Sequence, residues 1–281
     1  MAKKRRWSSN NMNNMNNKNN KLEVRGTELT VRNVGIAFGG FKACEAVSFD
    51  VARGSITSVI GPNGAGKTTL FNILSGALRC DSGEITHDFM RIEKMHSHEI
   101  ARTGLIRTFQ GAKIINRLSV IENVMLAAQN NPGESIWRMA TPWQSKRFEK
   151  AARERALYYL NEVGLTKMAD EFGGILSGGQ RKLLDLARAI MAEPKMLLLD
   201  EPFAGVNPTL VEQLVKAITD IRDQRGVTFL LIEHDLETVT KISDKVIVMA
   251  RGSVIADGEP NSIYKNDAVI EAYLGSRRGN G

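Results

Sequence analysis

One stretch, SITSVIGPNGAGKT at residues 55–68, narrows the folds open to this chain more than any other. A short apolar run ends in glycine, and a helical pattern then continues through TTLFNILSGAL. That order is strand, Gly-rich loop, helix. Gly61, Pro62, Asn63, Gly64, Ala65, Gly66, Lys67 and Thr68 fit G-x-x-x-x-G-K-[ST], between the flanking elements that this pattern requires. Glycines let backbone N–H groups converge on a polyphosphate, and the following helix adds its positive N-terminal end. Lys67 supplies a mobile point charge for the β and γ phosphates. The Thr68 hydroxyl is placed to ligate Mg²⁺, and Thr69 completes the phosphate-binding set. A chance Gly-rich turn is the bland alternative, and the correct flanks outweigh it.

The rest of the chain agrees with an α/β class. LEVRGTELTVRNVGIAF and ACEAVSFDVARG alternate apolar and polar residues, as antiparallel strands do. Residues 97–165 read as mostly helical, interrupted at NNPGESIWRMATPWQ. Then follow SGGQRKLLDLARAIMAE (helix), KMLLL (strand), LVEQLVKAITDIRDQ (helix), VTFLLI (strand), LETVTKIS (helix) and a hairpin at KVIVMARGSVIADG. Strands alternating with helices imply parallel βαβ units.

At the end of KMLLL stand two adjacent acids, Asp200 and Glu201. Beside a phosphate loop they acquire a task. A nucleotide hydrolase needs a carboxylate at the end of a neighbouring strand to hold the metal, which suits Asp200. A second acid, Glu201, can orient or deprotonate the attacking water. Without the loop, DEP would read as a solvated strand exit. In LSGGQRKLLDLARAIM, Ser177 and Gln180 have capping-box spacing ahead of an amphipathic helix. Gly178 and Gly179 leave that helix start bare, a second place that favours an anion.

GPNGAGKT, LSGGQ and LLLDEP, in this order, resemble the Walker A, signature and Walker B motifs of ABC-transporter ATPase subunits. The likeness covers roughly residues 22–274. It implies a P-loop NTPase core with a mainly parallel sheet, an N-terminal antiparallel β subdomain and an inserted α-helical subdomain at about 97–190, within one domain spanning 22–281. It also implies two ATPs, each with Mg²⁺, sandwiched in a head-to-tail dimer. Ser177, Gly178, Gly179 and Gln180 would then face the nucleotide held by the partner's phosphate loop. Gln110, in RTFQG, matches the loop that touches Mg²⁺ and the membrane subunit; His234, in LLIEHD, matches the switch histidine on the γ-phosphate. Phe38 matches the aromatic position that stacks on adenine, with Phe41 the second choice. Glu201, His234, Lys67 and Gln110 are thereby the catalytic candidates, and Thr68, Gln110 and Asp200 the metal set.

IARTGLIRTFQ and LLLDEPFAGVNP are similar to the LivG-type ATPase of branched-chain (hydrophobic) amino-acid importers. Lipopolysaccharide-exporter and urea/amide-importer ATPases are the nearby alternatives. The implied partners are a second ATPase subunit, identical or paralogous, two transmembrane permease subunits and, indirectly, a solute-binding protein. The implied location is the cytoplasmic face of the cell membrane, peripherally. The aromatic, basic segment Ile136–Phe148 is a candidate docking surface for those subunits, or else a helical hairpin on the core. Asn207 falls where many relatives carry aspartate, which leaves coupling between the two nucleotide sites open.

Composition bears on the rivals. The net charge of +7 suggests nucleic acid, but six of those charges lie on Lys3, Lys4, Arg5, Arg6, Lys18 and Lys21 of an acid-free, Asn-rich tail. Such a segment, residues 1–21, is expected to be disordered, and no nucleic-acid partner is expected. Two cysteines exclude a disulfide framework, and His96 and His98 lack companion ligands. The run from Lys67 to Ser177 is too short for the long coiled coil of a chromosome-organising ATPase, so a non-transport ATPase is the weaker reading.

Overall fold

The computed structural model describes residues 26–108, 114–129, 142–263 and 265–278. The tail at 1–21, Gln110 and the first half of the 136–148 segment lie outside the described residues. The elements run β1 (Leu29–Phe38), β2 (Phe41–Val51), β3 (Ile56–Ile60), α1 (Lys67–Leu74), β4 (Ser82–His87), β5 (Met90–Arg91), α2 (Ser97–Arg102) and β6 (Leu105–Arg107). After them come α3 (Val120–Met125), α4 (Pro142–Glu162), α5 (Gly178–Met191), β7 (Met196–Asp200), α6 (Pro208–Arg225) and β8 (Thr228–Ile232). The chain closes with α7 (Leu236–Ile242), β9 (Lys245–Ala250), β10 (Ser253–Gly258), α8 (Pro260–Ile263) and α9 (Asp267–Arg278).

Two sheets form, as the alternation of elements predicts. One is antiparallel, in the order β2-β1-β4-β5. The other, in the order β10-β9-β3-β8-β7-β6, is parallel except for the β9–β10 hairpin. Two parts of the sequence reading need correction. The β4–β5 hairpin joins the antiparallel sheet without having been foreseen. Residues 105–107, read as part of a mostly helical region, form the edge strand of the parallel sheet instead. Three residues carry no usable periodicity, and β6 owes its conformation to pairing Leu105 with Met196 and Arg107 with Leu198.

All five residues of β3, of β7 and of β8 are buried. Parallel strands covered on both faces read as continuous apolar runs for this reason. Their alternate side chains feed two different cores. Leu197, Leu199, Phe229 and Leu231 pack with Leu183, Leu184 and Ile190 of α5 and Leu214 and Ile218 of α6. Met196, Leu198, Leu230 and Ile232 pack with Leu70, Phe71 and Leu74 of α1 and with Leu29, Val31 and Phe49 of the antiparallel sheet. The parallel sheet is therefore the middle layer.

Because both faces are buried, side-chain alternation says little about register. Polar pins at the opposite strand ends say more. The Asp244 carboxylate accepts from Ile56 N at 2.8 Å. The Thr228 hydroxyl accepts from Gly54 N at 2.8 Å and donates to Thr27 O at 2.7 Å. In the resulting register Val59 lies beside Ile232, and Ile232 beside Asp200. The C-terminal ends of β3, β8 and β7 are level, and their three loops leave side by side.

Candidate functional site

The loop after β3 is pressed between β2 and β9. A Cβ built on Gly61 would lie 2.1 Å from Met249 O, and one on Gly66 2.3 Å from Ala43 O. Gly66 also caps α1 at a φ of 97°, in the left-handed region that glycine enters without cost. Larger residues at either position would push the loop off its support. Lys67 is 6% exposed, and its ammonium donates to Gly61 O at 2.7 Å and Pro62 O at 3.0 Å. Burial pushes its pKa below the usual lysine range, while Glu201 and Asp200 pull it back up. A lysine influenced by both acids of the DEP run belongs to one site with them.

Asp200 closes β7 at 2% exposure. Its Oδ2 accepts from an Arg107 guanidinium nitrogen at 2.9 Å. Its Oδ1 is buried without a hydrogen-bond partner. An orphaned carboxylate oxygen costs on the order of 1–3 kcal/mol or more, which calls for a ligand. A hard cation such as Mg²⁺ prefers oxygen donors, and Asp200 Oδ1 with the Thr68 hydroxyl offers that chemistry. The donor set fits the metal.

Glu201 adopts a φ of 49°, unusual for a residue other than glycine. Lys182 of α5 donates to its carbonyl at 2.8 Å, and its N–H donates to Ile232 O at 3.0 Å. Both contacts hold the left-handed turn. The Glu201 Oε1 lies 2.8 Å from His234 Nε2. A carboxylate and an imidazole nitrogen at this distance share one hydrogen bond. The structure thus joins two candidates that are 33 residues apart.

Glu233, beside them, had no role in the sequence reading. It is 3% exposed; Oε1 accepts from Phe203 N at 2.9 Å and Oε2 from His234 N at 3.1 Å. Burial raises its pKa above the ordinary glutamate value, opposed by those two N–H donors. One carboxylate therefore ties the loop after β7 to the loop after β8. An acid directly after the apolar FLLI run was the signal available for it.

Ser177 and Gln180 form the capping box that their spacing predicts: Gln180 N donates to Ser177 Oγ at 3.3 Å, and Ser177 N to Gln180 Oε1 at 2.9 Å. Gly179 backs closely onto Leu210 and Val206 of the α6 region, so a side chain there would displace them. Phe38 and Phe41 face each other across the β1–β2 turn, both largely exposed. The strand of Phe41, β2, continues to Cys44, whose Sγ approaches Gly66 O at 3.8 Å. Asn207 caps α6, its Oδ1 accepting from Leu210 N at 3.0 Å, with Pro208 in the first turn. His96 and His98 stack at 5.9 Å, and among the described residues no group of three His, Cys, Asp or Glu could hold a metal. Among the described residues, no helix is long and apolar enough to cross a membrane.

A model of the family described as ABC transporter matches residues 44–204 of the chain, from β2 through the phosphate loop to just beyond Glu201. The chain belongs to the ABC transporter family. This ABC cassette is similar to the high-affinity branched-chain amino acid transport ATP-binding protein BraF of Pseudomonas aeruginosa, at 40% identity over 249 residues covering 88% of this chain and 97% of that one. It is similar also to the probable branched-chain amino acid transport ATP-binding protein LivG of Archaeoglobus fulgidus, at 41% identity covering 89% and 96%. Among solved structures, the ADP conformation of an ATP-binding cassette of an ABC transporter superposes with a TM-score of 0.76 at 35% identity, covering 89% and 99%.

Behind Asp200 the cassette has a small cavity lined by Thr108, Lys182, Asp185 and Pro202. Burial raises the Asp185 pKa from 3.8 to about 6, and Arg188 and Lys182 only partly oppose it. A carboxyl with a raised native pKa contributes stability that is complete below about pH 4 and lost as pH rises through about 6. At neutral pH its charged form costs roughly 2–3 kcal/mol. Asp185→Asn is accordingly expected to be more stable than the parent at pH 8 and equal to it near pH 4. Chemical denaturation at the two pH values measures this, and a difference independent of pH would reject it.

Proposed function

We propose that this ABC cassette is the ATP-binding subunit of an importer for branched-chain or other hydrophobic amino acids. It hydrolyses ATP as a head-to-tail dimer at the cytoplasmic face of the membrane. The observation that carries the reading is the gathering of Lys67, Asp200, Glu201 and His234 where the level ends of β3, β7 and β8 release their loops. It occurs in a chain 36–41% identical to proteins named for branched-chain amino acid transport.

In this reading the N–H groups of residues 61–69 and the Lys67 ammonium cradle the phosphates. Thr68 and Asp200, with Gln110, hold Mg²⁺, which neutralises charge on the phosphate oxygens. Glu201 accepts the proton of the attacking water. His234, beside Glu201, contacts the γ-phosphate, a role that Glu233 supports by fixing the His234 backbone. Phe38 stacks on adenine. Ser177, Gly178, Gly179 and Gln180 serve the nucleotide of the partner subunit, since their helix start backs onto α6 of its own chain. Closure on ATP and reopening after hydrolysis would drive two permease subunits, supplied with solute by a binding protein. The organisation that suits this role is a single ATPase domain over 22–281, carrying a helical subdomain at about 97–190 and preceded by the 1–21 tail.

Uptake of radiolabelled leucine, isoleucine and valine in cells lacking this chain is the direct test. Loss of all three, restored by the parent gene and not by Lys67→Ala, is expected. Intact uptake with another solute lost would reject the substrate class and leave the motor reading in place.

A further inference from the structure

The motifs leave one strongly connected cation unassigned. Arg107 ends β6, one residue before Thr108, whose N–H still pairs with Leu198 O of β7 at 3.0 Å. Its side chain is largely enclosed, at 16% exposure. One guanidinium nitrogen donates to Asn72 Oδ1 at 2.6 Å and Ser75 Oγ at 3.2 Å, both contributed by α1 and its C-terminal cap. The other donates to Asp200 Oδ2 at 2.9 Å. The guanidinium also lies 5.8 Å from the centre of the Phe71 ring. A single side chain thus bridges the helix that follows the phosphate loop, the strand end bearing the metal acid and the strand that leads towards Gln110.

This arrangement makes the two oxygens of Asp200 unequal. Oδ2 is occupied by Arg107, and Oδ1 is buried with no partner. A carboxylate free to turn would present either oxygen and share its charge between two poses. Pinned on one side, it presents one oxygen in one place, with no reorganisation needed when a cation arrives. A planar fork suits the task, because one nitrogen grips α1 while the other grips Asp200. Lysine places a single ammonium and cannot span both.

We infer that Arg107 is the positioning residue of the metal site, holding Asp200 Oδ2 so that Oδ1 alone is offered to Mg²⁺, and fixing that oxygen relative to the helix that carries Thr68. The inference rests on Asp200 being the metal acid. It adds a link that the motifs do not contain: the strand entering the Gln110 segment and the metal acid move as one body.

The test is binding of a fluorescent ATP analogue to the purified full chain, first in EDTA and then titrated with Mg²⁺. The parent chain should bind more tightly as Mg²⁺ is added. Arg107→Met should bind as the parent does in EDTA, yet require about tenfold more Mg²⁺ for the half-maximal effect. Arg107→Lys should recover part of that loss, and Asn72→Ala, which removes the shorter of the two bonds on the other arm of the fork and leaves the one to Ser75 Oγ, should shift the midpoint about threefold. A purely structural arginine would lower the melting temperature in Arg107→Met without moving the Mg²⁺ midpoint, and that result overturns the inference. If the Arg107 variants do not fold, Asn72→Ala decides, and an unshifted midpoint there overturns it equally. Asp200→Asn separates the two levels. It should lose the Mg²⁺ response, and a parent-like response in that variant would remove the metal assignment and the inference together.

Discussion

Lys67→Ala is expected to lower ATP turnover at least about a hundredfold, the scale on which a pre-placed charge at a transferring phosphoryl group acts. The lysine is enclosed by its own loop, and its bonds to Gly61 O and Pro62 O hold the ammonium among the backbone groups that would surround the phosphates. Alanine removes the charge and the bonds to both carbonyls, of which Pro62 O keeps the Ala65 N–H as donor at 3.2 Å. Steady-state phosphate release and nucleotide binding measure the effect together. Unfolding curves should show a fold that persists, since the large apolar contacts of α1 are made by Leu70, Phe71 and Leu74. Turnover within a few-fold of the parent would reject the phosphate-loop assignment.

Glu201→Gln should separate binding from chemistry. Loss of a general base typically costs a factor of about 10² to 10⁴, and that loss should fall on kcat, with ATP still bound. Glutamine keeps the length and can still bond His234, so the left-handed backbone and its contacts to Lys182 and Ile232 need not change. Light scattering of the variant with ATP and Mg²⁺ should then report a persistent dimer, because the bound nucleotide is not consumed. A monomer under those conditions would count against the sandwich, and parent-like turnover against the role of Glu201 itself.

The nucleotide loop, the buried strands and the capping box at Ser177 were legible because each is a local pattern: a glycine spacing, an apolar run, a serine three residues ahead of a glutamine. β4 was not. Only Ile85 and His87 of SGEITH are buried, which is too thin an apolar stripe to announce a strand. β6 was missed because three residues show no period. Arg107, Lys182 and Glu233 escaped for a different reason. Arg107 meets a partner 93 positions away, and sequence order gives no sign of that meeting. Asn207 looked like a missing charge. An asparagine directly before proline at a helix start is also a capping signal, and capping is what its side chain does here.

The level strand ends carry a consequence for where damage to the site can begin. In a sheet with one wet face, a slipped strand would announce itself by turning apolar side chains to water. β3, β7 and β8 have no such alarm, since every residue in them is buried whichever face it takes. The start of β3 is tied at the far end of the strands to Asp244 and to Thr228 of β8, which act as datum marks for the height of the loops after β3 and β8. Neither residue is a member of the nucleotide site, yet a change at either would tilt Gly61 and Glu233 against one another. The mouth of the site is gauged from its floor.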